Sequence, residues 1–177
     1  MKIRLATQND VEHAVRIVRA VYEEYGFTWD PEVYHADLYD LEGHYLRLGN
    51  PFWLAEWEGL PVGTVALEVF DPLPEGDGKI CLHEGKVRVA GADCSLERLY
   101  VHPEARRRGI GGALTAQVIE EAKRRGRTRM ELWSDKRFGP AHQLYGGFGA
   151  EVVGDRICDD PDVSPEWGLR IDLEPAA

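Results

Sequence analysis

The sequence predicts a single mixed α/β domain, and three observations lead there. Apolar residues recur at two spacings, alternating in some segments and falling three to four apart in others. The segments come in the order strand, helix, helix, three strands, helix, strand, helix and two strands. No repeat, low-complexity tract or interdomain linker divides the 177 residues, a length that suits one sizeable core.

Residues 3–5 read as a short first strand. Asn9 with Glu12 makes a capping box, and Val11, Val15, Val18, Tyr22 and Tyr25 then trace one face of a helix that stops at Gly26. Asp30-Pro31 restarts a helix, with Val33, Leu38, Leu41, Tyr45 and Leu48 inward and Gly43 weakening its middle. Residues 52–57 and 62–70 are strands joined by Glu-Gly-Leu-Pro, a hairpin. Residues 71–94 hold Asp-Pro, Glu-Gly-Asp-Gly, Glu-Gly and Gly-Ala-Asp and read as an irregular insertion, with short β pieces at 79–82 and 86–89. A strand at 95–101 feeds a helix that begins near Ile110. Residues 129–133 form another strand, 141–145 a short helix, and 151–153 and 169–173 two final strands.

Composition excludes several classes. Apolar residues make up 44% of the chain and mean hydropathy is −0.38, values of a soluble globular protein. No apolar run approaches the ~20 residues that cross a membrane. The first ten residues contain no signal-peptide core, so the cytoplasm is the expected location. Cys81, Cys94 and Cys158 are odd in number and widely spaced, which implies neither a disulfide framework nor a zinc knuckle. No metal ligand set stands out: Cys81-x-His83 is isolated, and Asp159-Asp160-Pro-Asp162 reads as a solvated loop. A net charge of −10, from 21 basic and 31 acidic residues, argues against general nucleic-acid binding.

The most informative stretch runs from Leu99 to Leu114. A β-branched and aromatic run ends at His102-Pro103, three arginines follow, and Gly109, Gly111 and Gly112 open a helix with Ile110, Leu114, Val118 and Ala122 four apart. The first N–H groups of a helix lack intrahelical partners and sit at the positive end of its dipole. Glycines there let an anion approach the backbone, and Arg106, Arg107 and Arg108 add positive charge where the dipole alone disfavours it. Lys123, Arg124 and Arg125 before Gly126 are more simply last-turn cations and a C-cap. The first cluster therefore reads as a pyrophosphate cradle over Arg106 to Ala113. A structural glycine turn with solvated arginines is the plainer alternative. A Walker loop is excluded because Gly111-Gly112-Ala113 lacks Lys-Ser/Thr, and a dinucleotide fingerprint because Leu114 stands where its third glycine belongs.

The pattern Arg106-x-x-Gly109-x-Gly111 after a strand ending Leu-Tyr-Val resembles the acetyl-coenzyme A motif of the GNAT superfamily of N-acyltransferases. The order of elements matches that family over most of the chain. The resemblance implies one GNAT-like domain over 1–177, with a mixed, mostly antiparallel sheet of six to seven strands flanked by about four helices. It also implies acetyl-coenzyme A as co-substrate, held by Leu99, Tyr100 and Val101 along the pantetheine and by Arg106, Arg107, Arg108, Gly109, Ile110, Gly111, Gly112 and Ala113 at the pyrophosphate.

Leu96, Leu99 and Val101 cannot share one face of a regular strand, because 96 and 99 differ in parity. A β-bulge near Glu97-Arg98 restores the register; otherwise Leu96 packs on the opposite face. GNAT enzymes carry such a bulge, and by resemblance the N–H of Leu99 or Tyr100 polarises the thioester carbonyl. Acyl transfer to an amine also needs a neutral amine and a proton for the departing thiolate. The segment Ala141-His-Gln-Leu-Tyr145, followed by Gly149, resembles the family pattern in which a tyrosine lies against the coenzyme sulfur. That maps the acid onto Tyr145; the plainer alternative is a core tyrosine on a short helix. Glu97 is the candidate base, or else a surface glutamate facing Arg98; His142, His102 and Asp135 are the other candidates. Two positions depart from the family: Phe138 replaces an asparagine that touches the coenzyme, and Ala150 an aromatic after the glycine.

In the family the first two helices and last strand pair shape the acceptor pocket. Here the helical segments hold Tyr22, Tyr25, Phe27, Trp29, Tyr34, Tyr39 and Tyr45 with Glu23, Glu24, Asp30, Asp37 and Asp40. Such a mixture suits a cationic amine, and equally a half-buried helix pair with an acidic outer face. The acceptor is a small-molecule or protein amine, and a homodimer rests on family analogy alone. Two functions stand at this point: an N-acetyltransferase using direct attack, and a non-catalytic module that binds acyl-coenzyme A or a partner on the same fold.

Overall fold

The computed structural model describes residues 1–76 and 79–174. Asp77 and Gly78 of the expected insertion, and Pro175 to Ala177 of the expected domain, lie outside the described residues. In chain order the strands and helices are β1 (Lys2–Leu5), α1 (Val11–Tyr25), α2 (Ala36–Tyr39), α3 (Leu41–His44), β2 (Phe52–Trp57), β3 (Leu60–Val69), β4 (Ile80–His83), β5 (Lys86–Val89), β6 (Cys94–Val101), α4 (Ile110–Arg124), β7 (Arg129–Asp135), α5 (Gly139–Gly147), β8 (Glu151–Ile157) and β9 (Pro165–Asp172). Seven strands hydrogen-bond in the order β1-β2-β3-β6-β7-β9-β8, and β4-β5 make a separate two-stranded sheet. The contacts group into two compact units, Met1–Glu68 with Glu97–Val118, and Val69–Leu96 with Ile119–Ala177.

In the first unit, Ala14, Ile17, Val18 and Tyr22 of α1 pack with Leu38, Leu41 and Tyr45 on Phe52, Leu54 and Ala66 of β2 and β3. α1 starts differently from the sequence expectation. Asn9 and Glu12 are exposed; it is Asp10 that accepts the Thr7 N–H at 2.9 Å and the Arg4 guanidinium at 2.7 and 3.0 Å. α1 ends at Gly26, whose φ of +70° suits glycine. The β2–β3 turn has Glu58 at φ +51° and Gly59 at +81° between the paired Trp57 and Leu60, a two-residue turn with the twist hairpins favour.

The helix expected from Asp30 to Leu48 is broken into pieces. The Asp30 carboxylate accepts the N–H groups of Glu32, Val33 and Tyr34 at 3.1–3.3 Å, and Asp40 accepts that of Gly43 at 2.9 Å. These aspartates compete with helical carbonyls for backbone partners and stop each turn. Leu38, Leu41 and Tyr45 are buried as expected, but Val33 is 79% and Leu48 68% exposed. The inward periodicity therefore held from Leu38 to Tyr45 and failed at the two ends of the expected helix.

The second unit contains β7, β9 and β8 in antiparallel array, longer than the sequence suggested, and a parallel pairing of Cys94 and Ser95 with Met130 and Glu131. The 71–94 segment includes the antiparallel β4–β5 hairpin. Glu131, 2% exposed, anchors it by accepting Arg88 Nε at 2.6 Å and the Val89 N–H at 2.8 Å.

Candidate active site

In the first unit, the turn after β6 passes through Arg107 at φ +61° and Gly109 at φ +76° before α4 begins at Ile110. Alternation of left- and right-handed residues turns successive N–H groups to one side and makes an anion-binding concavity. The first helical bond runs from the Ala113 N–H to the Gly109 carbonyl at 3.0 Å. The N–H groups of Ile110, Gly111 and Gly112 precede it, so they have no carbonyl within the helix to meet. Gly63 of β3 brings the strand close to α4: an added Cβ there would lie 2.8 Å from Leu114 Cδ1 and 3.0 Å from Ile110 Cγ2.

The three arginines are not equivalent. Arg106 is paired with Glu24 of α1 through both guanidinium nitrogens, at 2.9 and 2.6 Å. The Arg108 guanidinium lies over the Trp57 ring, 5.3 Å from its centre. Arg107 is exposed and forms no ion pair among the described residues. Among the described residues one exposed cation without an ion pair or ring partner, Arg107, thus stands beside the helix start, while Arg106 is held by a carboxylate and Arg108 by an indole.

β6 carries the remaining first-unit candidates. Its extended backbone is interrupted at Arg98, φ +52°, where the parity of Leu96 and Leu99 called for a bulge. Leu96 is buried, while Glu97, Leu99, Tyr100 and Val101 are half-buried. Arg98 reaches Asp37 on α2, with Nε–Oδ2 at 2.8 Å and Nη2–Oδ1 at 2.7 Å. The negative charge of Glu97 acts on the Tyr45 hydroxyl, whose proton burial and Asp37 hold more tightly than usual.

Tyr145 lies in the second unit, on α5, and is 5% exposed. The other candidates there are already engaged. His142 Nε2 meets Ser134 Oγ at 3.1 Å, and burial lowers its pKa. Asp135 is desolvated, yet its pKa is lowered overall by Arg137, whose Nε and Nη2 lie at 2.8 and 2.6 Å. In the first unit, the main-chain N–H of His102 donates to the Val62 carbonyl at 2.8 Å, and its side chain is half-buried.

Sequence reasoning missed two features. His35 is fully buried, and its Nε2 has no hydrogen-bond partner among the described residues. The Arg98–Asp37 pair joins positions 61 apart in the chain, a separation that no local pattern announces. The parity break at 96–99 was the available signal for the backbone, though not for the side chain.

Comparison with known proteins identifies the family and the fold. Residues 13–150 match the model of the Acetyltransferase (GNAT) family. An uncharacterized N-acetyltransferase, YjgM of Escherichia coli K12, is 28% identical over 153 residues, covering 85% of this chain and 82% of its own. N-acetyltransferase 8 of Rattus norvegicus is 33% identical over 127 residues, 71% of this chain, which spans only 50% of that protein. Among solved structures, yncA of Salmonella typhimurium, determined with its cofactor acetyl-CoA, superposes with a TM-score of 0.71 at 19% identity, covering 100% of this chain and 96% of its own. A helix opening on glycines after an interrupted strand, in a chain whose residues 13–150 match the family throughout, places this protein in the GNAT family of acetyltransferases.

Proposed function

We propose that the chain transfers an acetyl group from acetyl-coenzyme A to a primary amine by direct attack. The observation that carries this reading is the start of α4, where first-turn N–H groups without helical acceptors follow the left-handed Arg107 and Gly109, in the same unit as Glu97–Val101 of β6. These donors fit a diphosphate: they are neutral N–H groups at a helix N-terminus, with exposed Arg107 to neutralise charge. When bound, acetyl-coenzyme A supplies an acyl carbon activated by its thioester.

The chain's own residues then have separate tasks. The backbone from Arg106 to Ala113 holds the diphosphate, and Val101 lines the pantetheine. The N–H of Leu99 or Tyr100 donates to the carbonyl oxygen as negative charge develops there, the kind of stabilisation that contributes most in a dry site. Glu97 accepts a proton from the amine nitrogen as the new N–C bond forms. Tyr145 gives its phenolic proton to the sulfur as the C–S bond breaks, and recovers one from solvent afterwards. None of Cys81, Cys94 and Cys158 falls within the motifs at 97–101, 106–113 and 141–149, and Cys94, at the start of β6, is buried, which supports direct attack rather than an acyl-cysteine. The acceptor is a small-molecule or protein amine, the location the cytoplasm, and a homodimer remains an analogy with the family.

The experiment is thermal unfolding with and without acetyl-coenzyme A, followed by thiol release across a panel of amines. Ligand at 100 times its dissociation constant adds about 2.7 kcal/mol, which for this chain length raises Tm by about 5–10 °C. Gly111→Glu places a carboxylate in the cradle and should abolish the shift while the fold survives. A shift without thiol release from any amine favours a non-catalytic acyl-coenzyme A module. No shift up to millimolar ligand overturns the cradle.

A further inference from the structure

Arg98 is left-handed in the middle of β6, φ +52°, a conformation that sterics disfavour for any residue with a Cβ. Such backbone persists only where its surroundings over-determine it, and contacts from β3, α2 and the segment before α2 do so here. The Arg98 carbonyl accepts the hydroxyl of Thr64, a fully buried residue of β3, at 2.7 Å. The guanidinium forks onto both oxygens of Asp37, as described above, and Nη2 also donates to the Tyr34 carbonyl at 2.8 Å. The Tyr34 ring lies 5.3 Å from the same guanidinium. Asp37 in turn accepts the hydroxyl of buried Tyr45.

The pair is nearly dry, its side chains only 12% and 16% exposed. A buried ion pair is a poor device for stability alone, since apolar residues of similar volume often serve as well or better. A planar fork on a carboxylate does supply direction. The peptide it orients leads directly into the N–H groups of Leu99 and Tyr100.

We propose that Arg98 and Asp37 are positioning residues of the acyl-transfer site. Their ion pair, with Thr64 holding the Arg98 carbonyl, fixes the left-handed turn at 98 and so aims the N–H of Leu99 or Tyr100 at the thioester oxygen. The proposal rests on the reading of Leu99–Val101 as the thioester-binding segment. It links the irregular α2 region to the electrophile through one carboxylate.

The test is the infrared carbonyl band of acetyl-coenzyme A labelled with carbon-13 at the thioester carbonyl, free and bound, in the full chain. In the unaltered protein the bound band moves to lower frequency, because hydrogen bonds to the oxygen weaken the C=O bond. Arg98→Lys and Asp37→Asn lose most of that lowering. Their thioester cleavage slows by about 100-fold, the loss typical of one misplaced oxyanion donor. Free coenzyme A, which lacks the acetyl group, binds within about twofold of the unaltered protein, as expected of an uncoupled site. Should those variants fail to fold, Thr64→Val reads the other side of the peptide, and Thr64→Ser restores the lowering. A band that stays lowered in Arg98→Lys and Asp37→Asn, or in Thr64→Val, overturns the proposal and leaves the site reading standing. Bound acetyl-coenzyme A with no lowering in the unaltered protein removes the site reading itself, and the proposal with it.

Discussion

The imidazole of His35 is fully buried, stacked 4.0 Å from the Trp29 ring and meeting Tyr22 edge-on at 4.5 Å. Burial and the nearby Arg98 charge push its pKa down to about 4 from the usual 6.5. The unfolded chain therefore takes up this proton first as pH falls. The stabilisation from keeping His35 neutral is complete above pH 6.5 and is lost progressively towards pH 4, by about 3 kcal/mol if no other group compensates. His142, whose pKa is also lowered, adds in the same direction. Asp10, held at about 2 by Arg4, acts in a separate window, losing its contribution only as pH falls from the ordinary carboxylate range towards 2. Denaturant unfolding at pH 7 and pH 4.5 checks this: His35→Phe should show a smaller difference between the two pH values than the unaltered chain. An equal difference would place the acid sensitivity elsewhere. The tyrosines and tryptophan around His35 were legible as an aromatic-rich segment. The histidine was not, because the irregular turn that buries it has no period.

Between elements, small residues and buried charges decide the packing. At Gly63 an added methyl would meet Leu114 and Ile110, which are 0% and 1% exposed, and the Tyr100 carbonyl at 3.4 Å. Gly63→Ala should cost about 1–3 kcal/mol through overpacking. It should also weaken acetyl-coenzyme A binding, since the first turn of α4 must shift; calorimetric titration measures the second effect separately from the first. The β4–β5 hairpin depends on Glu131, which besides Arg88 and Val89 accepts Trp133 Nε1 at 3.2 Å. Glu131→Leu leaves Arg88 without its partner and should cost about 3–5 kcal/mol; the double variant with Arg88→Met should recover only part of it, because the Val89 N–H and Trp133 Nε1 still lack their acceptor. Denaturant midpoints of the two single variants and the double variant test this; additive losses would show the pair is not coupled. Strands and long helices were readable because periodicity and turn chemistry act within a few residues. The break at 31–48 was not, since Asp30 and Asp40 reach the backbone only in the folded geometry of the turns they cap.

Across the whole molecule the three cysteines give a global readout. All three are thiols outside any disulfide, Cys94 and Cys158 buried and Cys81 half-buried, and burial raises the Cys81 and Cys94 thiols above their ordinary pKa. A thiol reagent should modify Cys81 alone in the folded protein and all three after denaturation, with acetyl-coenzyme A affinity unchanged by the first modification. Loss of affinity would tie the hairpin to the coenzyme and count against an unassisted direct attack. The sequence by itself determined the α/β class, the order of the main strands and helices, the glycine-opened α4 and the family resemblance, because each depends on spacing over a few residues. The parity of Leu96 and Leu99 offered two readings, a bulge near Glu97-Arg98 or Leu96 on the opposite face, and the structure has the backbone interruption at Arg98. Only the tertiary structure decided that Arg106 pairs with Glu24, that Arg98 turns to Asp37, and that His35 is buried with an unpartnered nitrogen. Those pairings join positions up to 82 apart, and a folded chain selects such partners by proximity and desolvation, which leave no mark on local order.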